Sequence, residues 1–345
     1  MFIWFAFVIV LCLYKIDFRR LSGESQFFED YMSRDKTLSI KGIFVLLVFL
    51  SHAKGICNGW SSIDNVYLTF NRYMGQLVVA PFLFYSGYGV MHQYLKYGEK
   101  YTQSFFKKRI LMTFIHFDIA VLLYLVVQTL LGNRYPVRHI VGALLGWTDL
   151  GNSNWYIFAI IVLYIFTWIC LKVFNGRNKG IVLGVFSLTI FYMFAISCFK
   201  ENWWYDTILC YTAGMGYKIF EQQIDYFLNS WKIYLRVLLF AILLFVVSYI
   251  CSFHMIVWNI NAVVFSVLIV LFGKIVSFDN CILRWCGAHI FSLYILQRIP
   301  FIIYKWAEVQ MNDMIAIAIC GAATILLAVL FDCMTSYLDR KLILK

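Results

Sequence analysis

Apolar runs set the rhythm of this chain. Windows of about 19 residues place membrane-crossing helices near 2–14, 39–57, 74–92, 110–131, 154–174 and 181–199. Five more follow near 203–220, 233–252, 257–276, 286–307 and 314–336. Most approach the roughly 20 residues a helix needs to cross ~30 Å of hydrocarbon. The spans are expected to be helical, because a backbone in lipid must satisfy its own polar groups. Run 2–14 is short. It has no basic leader before it and no small-residue cleavage site after it, so it reads as an anchor.

Composition agrees: 62% of the 345 residues are hydrophobic and only 14% charged. A soluble domain could not hide that much apolar surface. Charge then orients the chain. With segment 15–38 cytoplasmic and the spans alternating, 22 of the 29 Lys and Arg fall on the inner face. The other seven are Lys54, Arg72, Arg134, Arg138, Lys200, Arg298 and Lys305. The positive-inside rule favours that orientation, with the N-terminus outside and the C-terminus inside. The net charge of +11 therefore reads as topology and calls for no nucleic acid. The ten cysteines form no CxxC pair and no zinc spacing, so no metal site is expected. Pro81 and Pro300 fall inside spans and are expected to kink them.

Ionisable groups in apolar runs are the candidate chemistry. In "LSIKGIFVLLVFLSHAKG", Lys41 and His52 are eleven residues apart, about 1,100° of helix or three turns plus roughly 20°. Both point from one face, separated by ~16 Å along the axis. Taken alone, Lys41 could be a snorkelling interface lysine and His52 a packing residue. Four further stretches bear on that choice. "APFLFYSGYGV" brings Ser86, Gly87 and Tyr88, where small residues allow close approach of a helix or a ligand. "QSFFKKRILMTF" clusters Lys107, Lys108 and Arg109, suited either to phosphates or to anchoring. Asp118 lies just beyond, as a functional carboxylate or as a partner for Arg109 or Lys108. Trp155 opens a span from the outer face. "WCGAHIFSLYILQRIPF" carries Ser292, Tyr294, Gln297 and Arg298, unusual polarity for one span.

Taken together, these stretches resemble the family-3 membrane acyltransferases of bacteria over roughly residues 35–336. The matches are Lys41 with His52, Ser86-Gly87-Tyr88, Lys107-Lys108-Arg109, Trp155-Tyr156, and Ser292 with Tyr294. Two places depart from the family pattern: Met112 and His116 stand where a second basic residue and a proline are common, and Gln297 where histidine is common. The resemblance implies an all-α polytopic transmembrane bundle of ten core spans, with 2–14 as an additional one. The expected organisation is an anchor at 1–14, a cytoplasmic linker at 15–38, the transferase at 39–336 and a cytoplasmic tail at 337–345.

The resemblance further implies an O-acyltransferase of the bacterial plasma membrane, most simply an O-acetyltransferase. Its donor would be cytoplasmic acyl-CoA, such as acetyl-CoA, bound by Lys41, Lys107, Lys108 and Arg109. Its acceptor would be a hydroxyl of an extracytoplasmic cell-envelope glycan. No permanently bound cofactor is expected. His52 would serve as general base or as acyl relay. Ser86, Tyr88, Asp118, Trp155, Ser292, Tyr294, Gln297 and Arg298 are the acceptor or pocket candidates. The competing class is a transporter or flippase using the same intramembrane polar residues. The sequence carries no inverted repeat of the kind many transporters show.

Overall fold

The computed structural model describes residues 1–19 and 27–343; Arg20 and Lys345, both assigned above to the inner face, lie outside them. The chain is helical almost throughout. Among the described residues, eight helices are long and apolar enough to cross a membrane, nine if one bent pair counts as a single span. Helix α1 (Phe2–Leu13) is apolar but only 12 residues long.

Helix α2 (Arg34–Ala53) begins five residues ahead of its apolar run. Ser33 caps it, and the Thr37 hydroxyl returns to the Ser33 carbonyl at 2.9 Å, so the polar first turn is still helix. Helices α3 (Asp64–Met74) and α4 (Ala80–Tyr97) are separated by Gly75, at φ +44. Pro81 therefore stands in the first turn of α4 instead of kinking a span. A missing N–H costs nothing there.

Helices α5 (Glu99–Phe105) and α6 (Met112–Leu130) are joined by a π-helical turn at Phe106–Leu111. That turn carries the whole basic cluster. Next come a short α7 (Val137–Leu144), α8 (Trp155–Val173) and α9 (Asn178–Ser197). Helix α10 (Leu209–Phe227) starts six residues later than the apolar run implies, because Asn202–Trp204 form a separate tight turn. Then follow α11 (Trp231–Ile250) and α12 (Met255–Ile275).

The run at 286–307 is a broken span. It consists of α13 (Cys281–Ala288), α14 (Ile290–Leu296) and α15 (Arg298–Trp306), bent by 69° at His289. Pro300 falls in the first turn of α15, the same harmless position as Pro81. Helix α16 (Asp313–Ile343) closes the bundle. A three-residue strand pair, β1 (Ile16–Phe18) with β2 (Val276–Phe278), ties the exit of α1 to the α12–α13 connection.

Two backbone-to-backbone crossings hold the centre. A Cβ on Gly42 would overlap the Leu283 carbonyl, and one on Gly287 would overlap that of Leu38. Helices α2 and α13 therefore touch main chain to main chain. Gly87 and Gly214 do the same for α4 and α10, against the carbonyls of Tyr211 and Phe84. Small residues make such contact possible where lipid gives no hydrophobic drive between helices. On α10, Thr212 is buried, and Lys218 and Glu221 pair with each other one turn apart.

Candidate active site

At the basic end of α2, Lys41 is half-buried, and Arg109 and Arg34 are the cations that press on it. The Arg109 guanidinium lies among the phenol rings of Tyr101, Tyr164 and Tyr211. Lys100, Tyr101, Ser104, Lys108 and Arg109 line a cavity of about 480 Å³ at this end. Lys107 is exposed and does not line it. None of Lys41, Lys100, Lys108 and Arg109 has a carboxylate within 4.0 Å among the described residues. Clustered cations without a counter-ion are matched to a polyanion.

Eleven residues along the same helix, the His52 Nε2 stands 3.5 Å from the Ser153 Oγ, at the long end of hydrogen-bond reach. The Ser153 hydroxyl faces Tyr294. The Tyr294 and Tyr156 rings are 5.3 Å apart, and the Tyr156 hydroxyl faces Ser86. Arg298 and Lys54 are the cations bearing on His52. Arg298 donates to the Asn152 carbonyl at 3.4 Å. Ser86, Tyr156, Tyr294, Ser153 and His52 thus lie in succession, with Arg298 beside them; among the described residues, Ser153 and His52 are the pair of these within hydrogen-bond reach.

Ser153 reaches the bundle on an irregular loop, which at membrane depth needs its backbone satisfied. Side chains supply that. Asn154 Nδ2 donates to the carbonyls of Gly146 and Thr148 at 2.7 and 2.9 Å. Gln128 Nε2 donates to that of Leu150 at 2.8 Å. Asn152 Oδ1 accepts from the Leu150 N–H at 3.0 Å. Gly151, at φ +98, turns the chain between them.

A family model described as an acyltransferase domain matches residues 39–333. The chain belongs to the acyltransferase 3 family. No curated protein and no solved structure matches it. The match makes this a membrane acyltransferase, and its several apolar helices make it multi-pass. Helix α1 lies ahead of the matched residues.

The acyltransferase brings His52, Ser86, Tyr294 and Arg298 together and separates them from the other candidates. Trp155 packs edge-on against Tyr156 at 5.9 Å, one ring removed from Tyr294. Tyr88 points elsewhere, its hydroxyl donating to Glu221 on α10 at 2.8 Å. Ser292 donates to Asp332 at 2.9 Å, and Asp332 also pairs with the His289 Nδ1. Ser292 and Tyr294 are two residues apart, about 200° of helix, so they cannot serve one site. Asp118 forms no ion pair with Arg109 or Lys108; its Oδ1 is buried without a hydrogen-bond partner among the described residues. Gln297 is buried and donates to the Tyr294 carbonyl at 3.0 Å, and its Oε1 has no partner among the described residues.

Sequence reasoning missed Ser153 and Lys100, and also the acids Asp332 and Asp339; it named Tyr156 only as the neighbour of Trp155 in the family match. Asp339 pairs with His116 at 2.9 Å. At the far end of α2, Asn58, Tyr304, Lys305, Glu308 and Asn312 line a polar vestibule of about 860 Å³. Gly55, also on its wall, follows His52 by about 4.5 Å of helical rise. The Tyr304 hydroxyl is buried and has no hydrogen-bond partner among the described residues.

Proposed function

We propose that this acyltransferase moves an acyl group, acetyl in the simplest case, from cytoplasmic acyl-CoA to a hydroxyl of a cell-envelope glycan. The setting would be the plasma membrane of a bacterium, with the basic end of the bundle inside. The observation that carries the reading is the continuous α2 face. It begins at unpaired cations and ends at an imidazole flanked by Ser153 and Arg298. Lys100, Lys108 and Arg109 would hold the phosphates of the donor, with Lys41 beside them. The pantetheine arm would run along α2 toward His52. The acceptor would arrive through the vestibule, whose amides and phenol suit sugar hydroxyls.

His52, neutral, takes the proton from the acceptor hydroxyl as its oxygen attacks the thioester carbonyl. Tyr294 and Ser153 hold the imidazole, and Arg298 faces the oxyanion that forms. As the C–S bond breaks, the imidazolium returns the proton to the departing thiolate. An ester and CoA thiol leave, with no net proton released.

The test is thiol release by purified protein given acetyl-CoA and a glycan-derived acceptor. We expect thiol to appear with acceptor present and to disappear with His52→Ala, in a variant that inserts and purifies normally. Wild-type-like thiol release by His52→Ala would remove His52 from the chemistry. Solute flux through the protein with acetyl-CoA left intact would favour a transporter.

A further inference from the structure

The cavity at the basic end has a second wall that the phosphates of a donor would leave unused. Gly98, at φ +54, turns the chain between α4 and α5. On the α5 side, Lys100, Ser104 and Lys108 follow at four-residue spacing, with Arg109 next to them. On the α4 side, Gln93 and Tyr97 line the same cavity. Four residues apart on one helix, they share a face. One wall is therefore cationic, and the other offers an amide and a phenol ring.

Both side chains of the α4 wall are free to meet a ligand. Gln93 is half-buried, and its amide makes no hydrogen bond among the described residues. Tyr97 is 50% exposed, and its hydroxyl makes none there either. The Lys96 Nζ lies over the Tyr97 ring, 5.2 Å from its centroid, which leaves the opposite face for a planar group. A carboxamide presents a donor and an acceptor side by side. That pair matches the N6 donor and N7 acceptor of adenine, whereas the corresponding edge of guanine, N7 and O6, only accepts. An aromatic ring stacks on any base. An anionic lipid head group would use the cations and leave the amide and the ring unmatched.

We propose that Gln93 and Tyr97 form an adenine subsite of the donor cavity. The Tyr97 ring stacks on the base, and the Gln93 amide pairs with its N6 and N7. Lys100, Lys108 and Arg109 hold the phosphates on the facing wall. The inference rests on the acyl-CoA reading of this end of the bundle. It makes Gln93 a specificity-determining residue, one that selects the nucleotide carrying the acyl group and takes no part in the transfer. The cavity, at about 480 Å³, falls within the ordinary range for small-molecule sites.

The experiment uses full-length protein in phosphatidylcholine nanodiscs. Adenosine 3′,5′-bisphosphate and guanosine 3′,5′-bisphosphate are the probes, equal in charge and different at the base edge. Calorimetry should show the adenosine compound binding about tenfold more tightly. Gln93→Leu should bring the two within about twofold of each other. Tyr97→Ala should weaken both by about tenfold, and Tyr97→Phe, which keeps the ring, should leave both near wild type. With acetyl-CoA as donor, Gln93→Leu should raise KM and leave kcat unchanged; with acetyl-phosphopantetheine, which lacks the nucleotide, it should change neither. Equal binding of the two nucleotides by wild-type protein would overturn the proposal. So would discrimination that survives Gln93→Leu, or displacement by inorganic pyrophosphate or phosphatidylglycerol at the nucleotide's own concentration. Adenine-selective, Gln93-dependent binding by a protein that releases no thiol from acetyl-CoA would sink the transfer reading and leave the adenine subsite standing.

Discussion

At the scale of the residue, the donor end and the reacting end separate by the kind of effect each should have. Arg109 and Lys108 line the basic cavity, whereas Lys107 faces away from it. Ground-state phosphate contacts act mainly on binding, and hydrogen bonds to charged groups contribute about 1.5–3 kcal/mol. Arg109→Ala should therefore raise the KM for acetyl-CoA by roughly ten- to a hundredfold. Lys107→Ala should change it by less than about twofold, as expected for a surface charge. Steady-state kinetics at saturating acceptor decides this; equal effects of the two substitutions would return the cluster to an anchoring role.

Tyr294→Phe removes only the hydroxyl facing Ser153. It should lower kcat about tenfold and leave the KM for donor unchanged, an orienting effect transmitted through Ser153 to His52. A changed donor KM with intact kcat would contradict it. The common helical face of Lys41 and His52 could be read from the sequence, because eleven residues nearly complete whole turns of one uninterrupted helix. Ser153 could not be. It acts from a loop, and only the cross-loop bonds of Asn154 and Gln128 bring it to membrane depth. Tyr156 stood next to the more conspicuous Trp155.

At the scale of the element, hydropathy located the helices but not their ends. Ends are set by local chemistry: the Ser33 cap, Gly75, the separate turn at Asn202–Trp204. The broken α13–α14–α15 span reads as one run because the bend falls at a single residue, His289, and no proline or glycine follows it before Pro300. Asp332 was legible as an acid near the end of an apolar run, but its partners His289 and Ser292 come from another helix.

The glycine crossings give the test at this scale. Gly287 has the Leu38 carbonyl where a Cβ would go, and backbone cannot yield as a flexible side chain can. Gly287→Ala should destabilise by about 1–3 kcal/mol as overpacking does, and lower the melting temperature in detergent. Gly89, with open space around its Cβ position, is the control, and Gly89→Ala should leave it near wild type. Equal melting of the two variants would mean that the α2–α13 contact is looser than its geometry implies.

At the scale of the whole molecule, the central claim is a donor site and an acceptor site at opposite ends of helix α2. The cations crowd one end of α2 and the polar vestibule opens at the other. Lys41 and His52 stand about 16 Å apart along the helix between them. In the proposed orientation, which the charge bias of the loops favours, the cation end is the cytoplasmic one. The direct measurement is a sided proteoliposome assay, with radiolabelled acetyl-CoA confined to the Lys41 side and acceptor supplied only on the vestibule side. Label should appear covalently on the acceptor, and His52→Ala should abolish it. Label transferred only when donor and acceptor share the Lys41 side would contradict the account, leaving an acyltransferase that does not work across the membrane.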